Sequence, residues 1–460
     1  MGIEIQQESN ASTEKENENT ENQKKANTSN ENKSQNERTL VDVLKVVIET
    51  PVPPLSTECL IKSIPDHLSR VKEQAYTPTI ISIGPIHHFD PKLQIMEMCK
   101  VRYFKRFISR NEINLENLVS TIREMEERIQ SCYAETTFPF KHKDDFVKMV
   151  LVDAIFILEL FHRYGNKYWE RHDQIFLDKL MFMKYDLVLL ENQLPFFVLE
   201  KLFNLTSPNC SKSISLIDLT FEFFGDLKFQ KSSLQSVKTS PQDVKITDFT
   251  DLMIRTFQLP QLKCPPESQT STQKVELLYS AAQLHEAGVK FKVSSSNCLH
   301  DIKFEITKGE LEIPPLELYD ETETLIRNVM ALEQFRYPTN RYVTDYFIFL
   351  DDLINTTKDM DLLCNKKIVI NHLGDNDAAT SFLNNLNTNI SMPDDYSNYY
   401  HICQKLNTFC EKRWHRWKAT LRHQYFSTPW RTASTIAAII LLVFTFIQTV
   451  CSIIQIVPIV

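Results

Sequence analysis

The sequence predicts a mainly α protein: a large helical body with a small β-hairpin or sheet, followed by a C-terminal transmembrane helix. Three observations predict it. The runs at 149–161 and 187–199 are apolar on nearly every face, as helices at the centre of a core must be. Period-two alternation is confined to 289–313. Residues 432–460 carry no charge at all. The chain therefore divides into a disordered polar arm (1–39), a helical cytosolic body (40–398), a basic amphipathic juxtamembrane helix (399–427) and a transmembrane tail anchor (428–460).

Taken in order, the arm comes first. Residues 1–38 hold eight Asn and eight Glu and have Met1, Ile3, Ile5, Ala11 and Ala26 as their only apolar side chains, too little to offset the entropy of ordering. There is no apolar stretch that could serve as a secretory signal.

Within the body, MVLVDAIFILELF (149–161) is interrupted by Asp153 and Glu159. Six residues apart, they sit about 120° from each other on a helix, which does not make a working carboxylate pair. They read as partners of buried Arg or Lys, or of helix ends. LVLLENQLPFFVL (187–199) is two apolar arms around Glu191, Asn192 and Gln193, with Pro195 restarting the helix. Three polar side chains in such a setting need partners, so they form either a hydrogen-bonded joint that fixes how two helices meet or a ligand-binding cluster.

Val289, Phe291 and Val293 alternate with Lys290 and Lys292, and Ile302, Phe304 and Ile306 face Leu311 and Ile313 across a turn at Lys308 and Gly309, which predicts a small sheet containing one hairpin. The polar or proline-bearing stretches 230–242 and 260–272 read as surface linkers.

From Cys403 the stripe Cys403, Leu406, Cys410, Trp414, Trp417, Leu421, Tyr425 advances by three or four residues at each step, one face of a helix. Arg413, Arg416, Lys418 and Arg422 lie mostly elsewhere on its circumference. The stripe either packs on the body or lies on an anionic lipid surface. Trp430 and Arg431 then stand where an interfacial anchor would precede a span, and IAAIILLVFTFI follows. Seven basic residues against the single acid Glu411 lie between 405 and 431, in a chain of net charge −8. That excess before the span, together with the missing signal, predicts a single-pass membrane protein whose body faces the cytosol. An outward-facing body would instead bring the N-x-S/T sequons into use.

Composition excludes several chemistries. The seven glycines are scattered, the nearest two being Gly288 and Gly309, so no glycine-rich phosphate loop or nucleophile elbow can form. The ten cysteines contain no C-x-x-C and no zinc-ligand spacing, and read as reduced thiols. No cofactor and no nucleotide is expected. An acidic body argues against nucleic acid. The one cluster inviting chemistry is His87, His88 and Asp90, but adjacent imidazoles on an extended segment point to opposite faces and do not easily share a metal.

Several blocks, in order, carry a resemblance: CLIKSIPDHL from Cys59, AYTPTIISIGPIHH from Ala75, the run from Met149, DLVLLENQLPFFVLEKLF from Asp186, LHEAGVKFK from Leu284, LEIPPLELYDETETLIRN from Leu311 and WHRWKATLRHQYFSTPW from Trp414. From about 41 to 450 the chain resembles the plant family named "domain of unknown function 247". The resemblance implies a plant, membrane-anchored, mostly helical protein without an established enzymatic activity, some members being implicated in recognition, notably grass self-incompatibility, and others in defence or development. It brings no catalytic residues with it. The expected function is that of a membrane-tethered recognition, signalling or scaffold protein acting through protein partners. The alternative is an enzyme on a lipid or other membrane substrate, using His87, His88 and Asp90 or Glu191.

Overall fold

The computed structural model describes residues 61–111, 114–133, 138–169, 173, 177–206, 215–225, 227, 246–258, 276–296, 298–338, 340–390, 398–425 and 429–456, with backbone alone at 111, 143, 255–258, 413–425, 429–432, 435 and 452–456. The chain divides into two units, Met1–Leu55 and Ser56–Val460, and all described residues belong to the second. The arm at 1–39 and the linkers at 230–242 and 260–272 lie outside the described residues.

After the short α1 (Asp66–Ser69) and a 3-10 turn (Glu73–Ala75), the chain runs without helix or strand to α2 (Gln94–Asn111), α3 (Leu115–Gln130) and α4 (Lys143–Asn166). α5 (Leu180–Asp186), α6 (Phe196–Thr206), α7 (Leu216–Phe224) and α8 (Phe249–Gln258) follow. The run at 149–161 lies in α4, which packs against α2, α3, α6 and α7. A helix with neighbours on so many sides has no solvent face, and Val150, Ala154, Ile155, Phe156 and Ile157 are accordingly fully buried. Phe161 of α4 meets Phe223 and Phe224 of α7 and Phe249 of α8 at centroid distances of 4.7, 6.0 and 5.7 Å, an aromatic contact that locks three helices.

The sheet comes next. α9 (Ala281–Glu286) leads into β1 (Lys290–Val293), β2 (Lys303–Glu305) and β3 (Glu310–Ile313), in spatial order β1-β3-β2. β2 and β3 form the expected hairpin, with Phe304 opposite Leu311. β1 joins the other edge in parallel, Phe291 opposite Leu311, so that the apolar side chains share the buried face. A second, two-stranded parallel sheet, β4 (Leu316–Leu318) with β5 (Val369–Asn371), was not expected. The remaining helices of this part are α10 (Thr322–Arg336), α11 (Tyr342–Leu353), α12 (Thr357–Asn365), which packs against β5, and α13 (Asn376–Leu386).

α14 (Tyr400–Tyr425) begins on the body: Cys403, Leu406 and Cys410 are buried, and Phe409 meets Phe304 edge-on at 5.6 Å. Phe409 also sits over Gly309, where φ is +63° and an added Cβ would come within 2.9 Å of the ring. The hairpin turn thus needs glycine both for its backbone and for helix docking. Burial pushes the Cys403 and Cys410 thiols up to about 12 and about 11, as inert packed cysteines require.

The transmembrane part of the expected fold class is corrected. α15 (Pro429–Ile456) is helical, but among the described residues no helix is long and apolar enough to cross a membrane.

Candidate functional site

The expected polar joint lies between α5 and α6, and its chemistry is directed at a segment more than a hundred residues earlier. Residues 79–84 run from an exposed Thr79 into the core without forming helix or strand, so their buried backbone groups need other satisfaction. Asp186, the last residue of α5, supplies most of it. Its carboxylate accepts the N–H groups of Thr79 (2.9 Å), Ile80 (2.6 Å) and Ile81 (2.9 Å). Burial pushes this carboxyl up and the three N–H donors pull it back. Asn192 accepts from Ile83 N–H at 2.6 Å and donates to the carbonyls of Ile81 and Asp186 at 2.9 Å each. Gly84 N–H donates to Asp153 of α4 at 2.9 Å.

Gln193 works in the opposite direction and holds its own turn closed. It donates to the carbonyls of Leu187 (2.7 Å) and Leu189 (2.8 Å) and accepts from Phe249 N–H at the start of α8 (2.9 Å). Its carbonyl accepts the Tyr133 hydroxyl at 2.9 Å and passes so close to Gly84 that a Cβ there would lie 2.4 Å from it, at a φ of +76°. Asn328 of α10 closes the structure on the far side, accepting from Leu190 N–H and donating to the Ala75 carbonyl at 2.7 Å. The joint therefore ties a threaded segment to α4 and α5 and, through its own turn, to α8 and α10, whereas the sequence suggested a junction of two helices.

Asp153 and Glu159 find cations from α2 and, for Glu159, also from α4 itself. Lys100 of α2, wholly buried, lies 2.7 Å from Asp153 and 2.5 Å from Glu97, and Ser82 donates to Glu97 at 3.0 Å. Burial raises Asp153 to about 6, with Lys100 opposing. Glu159 takes two nitrogens of Arg110, at 3.1 and 2.7 Å, and Arg163 at 2.7 Å, while Arg163 also reaches Asp173 at 2.5 Å. These are charges held by full pairing, the arrangement that makes a buried ion tolerable.

Glu191 is the half-buried member of the joint. Its Oε1 accepts Ile64 N–H at 2.6 Å, and its Oε2 stands 3.2 Å from His87 Nε2. That approach is within ion-pair range but off the hydrogen-bond direction, leaving the buried Nε2 without a hydrogen bond. His88 turns the other way, onto the rings of Phe89 (4.9 Å) and Phe140 (5.8 Å), and burial lowers its pKa. Asp90 accepts Lys92 N–H at 2.8 Å in a local turn. His87, His88 and Asp90 are thus not brought together, and among the described residues no three His, Cys, Asp or Glu side chains converge to hold a metal. The side chains of Arg413, Trp414, Arg416, Trp417, Lys418, Arg422, Trp430 and Arg431 lie outside the described ones.

Sequence reasoning missed two features. The first is Asp186 and Asn328, each a lone polar residue beside an apolar run, with no local signal naming its distant backbone partner. The second is the outer face of α2, where Ile95 is 70% and Met98 68% exposed, with Val101 also exposed. A small cleft of about 40 Å³, lined by Lys62, Leu190, Leu332, Phe335 and Arg336, opens beside the joint.

Fold and joint together define a mainly helical body built around a side-chain-bonded threaded segment. The chain belongs to the plant DUF247 family, described as plant protein of unknown function, whose model matches residues 61–444. It is similar to a UPF0481 protein of Arabidopsis thaliana, 26% identical over 420 residues covering 86% of this chain and 87% of the relative. It is also similar to a putative UPF0481 protein of the same plant, 20% identical over 479 residues covering 84% and 88%. No solved structure matches the chain.

Proposed function

We propose that this plant protein is a recognition or scaffold protein that acts through protein partners. The observation that carries the reading is the outer face of α2. Ile95, Met98 and Val101 stand open to solvent together on one helix of the body, alongside other exposed apolar side chains such as Met181 and Phe182 of α5 and those of α15 from Ile436 to Val450. Clustered exposed apolar side chains mark interaction surfaces, whereas scattered ones do not. The polar residues around the joint support the reading from the other side, because Asp186, Asn192 and Asp153 bond the backbone of residues 79–84, Gln193 that of its own turn and Glu191 that of Ile64. The test is proximity labelling in plant tissue with the full chain. The expected result is a reproducible set of protein neighbours that is depleted when exposed apolar side chains of the body are replaced by Asp. A neighbour set that no surface replacement changes would overturn the reading.

A further inference from the structure

We propose that the outer face of α2 docks an amphipathic helix of a partner protein that carries acidic side chains about two turns away from its apolar anchors. This rests on the recognition reading above and names the class of partner.

The inward face of α2 is set by Met96, Lys100, Tyr103 and Phe107, all buried, at helical spacing. Opposite them, Ile95, Met98, Val101, Arg102, Lys105 and Ser109 are all exposed and share one face. This stripe is ordered along the helix: apolar over its first two turns, cationic over the next. Among the described residues neither Arg102 nor Lys105 has an ion-pair partner. Of the other cations of α2, Lys100 pairs with Asp153, Arg110 with Glu159, and Arg106 is half-buried, which leaves Arg102 and Lys105 as the exposed charges on offer. Glu97, the only acid of α2, turns inward to Lys100 and Ser82. An occupant complementary to this face presents apolar side chains at three- and four-residue spacing, then carboxylates.

A second copy of the chain does not meet that requirement. Its α2 face would bring the same two cations and no acid. The stripe from Ile95 to Lys105 also covers only about 150–200 Å² at helix dimensions, against the ~800 Å² per partner of a standing dimer. A single helix, bound transiently or as one element of a larger contact, fits both the size and the charge.

The test is selection of a displayed library of amphipathic helical peptides, about 18 residues long, on the full chain. The expected binders carry Leu, Ile or Phe anchors with Asp or Glu two turns away. Their affinity falls tenfold or more on Met98→Asp and on the Arg102→Glu, Lys105→Glu pair, weakens with salt, and is regained on the charge-reversed protein when the peptide acids become Lys. Met98 and both cations are exposed, so unchanged thermal melting of the variants certifies their fold. Binders without acids, or binders indifferent to these replacements, overturn the proposal. In that case the recognition reading is judged separately, by whether tissue proximity labelling still returns neighbours that depend on another surface.

Discussion

Replacing Asn192 by Asp keeps the shape of the side chain and removes only its two N–H donors, which makes it the sharpest probe of the joint. In the wild type those donors lie 2.9 Å from the carbonyls of Ile81 and Asp186, and Asn192 is wholly buried. In the variant a carboxylate oxygen faces two carbonyl oxygens. The Asp186 carbonyl keeps the Leu189 N–H at 3.3 Å, so the Ile81 carbonyl is the one left unpaired, at a cost of about 1–3 kcal/mol. Set against a total stability of about 5–15 kcal/mol, that is a large fraction of the fold. The new carboxyl, driven towards its neutral form by burial, can regain one donor on protonation, so the cost should be smaller at pH 5 than at pH 8. Urea unfolding of the full chain, followed by circular dichroism at both pH values, measures this. The expected result is a lowered midpoint with unchanged slope, most marked at pH 8. A variant as stable as the wild type at both pH values would show that the 79–84 backbone is not held by Asn192.

Three further outcomes follow from the same structure. Gly84→Ala combines a positive φ with a Cβ only 2.4 Å from the Gln193 carbonyl, and should cost at least about 2 kcal/mol in denaturant unfolding; Gly374→Ala, at φ +105° with nothing within 4 Å of the added atom, should cost less. Asp153→Ala leaves Lys100 buried with Glu97 as its remaining carboxylate and should cost about 3–5 kcal/mol, seen as reduced yield and a lowered melting temperature. Glu333, which accepts Val343 N–H (3.0 Å), Thr344 N–H (2.8 Å) and the Thr344 hydroxyl (2.7 Å), is raised by burial to about 7. A carboxyl raised in the folded state adds stability that is full below its unfolded value near 4.5 and lost as pH rises through 7. Glu333→Gln should therefore flatten the fall in stability between pH 5 and pH 8 by about 2–3 kcal/mol, and an unchanged slope in melting temperature against pH would remove Glu333 as its source.

The hairpin was legible because Phe304 and Leu311 are close in sequence and alternate with charges. β4 and β5 were not, because three-residue strands joined across fifty intervening residues leave no period to read. Asp153 and Glu159 announced themselves as paired by standing in an apolar helix, but nothing local could name Lys100 or Arg110, which reach them from α2. The joint was visible as three polar residues between apolar arms. Its true ligand, the backbone of residues 79–84, was hidden because an apolar stretch such as Thr-Ile-Ile-Ser-Ile gives no sign that side chains will replace a neighbouring strand. The terminal apolar run was read as a span from composition alone; among the described residues no helix is long and apolar enough to cross a membrane. On α2, exposure is a tertiary property, and Ile95 and Met98 look in sequence like any core residue.

The threaded segment also sets an order of assembly. Thr79 and Asp186 are 107 residues apart, and Ile81 and Asn192 are 111 apart. At a synthesis rate of roughly 5–20 residues per second, residues 79–84 leave the ribosome about 5–20 s before the side chains that bond their backbone exist. A neighbouring strand could be recruited early; a carboxylate and an amide on a helix junction cannot. During that interval Ile80, Ile81 and Ile83 form an apolar stretch with every N–H open, the kind of sequence that pairs with another chain. Nascent chains stalled between 84 and 186 should thus be the aggregation-prone and chaperone-bound species of this protein, and release should coincide with emergence of the turn that ends at Gln193.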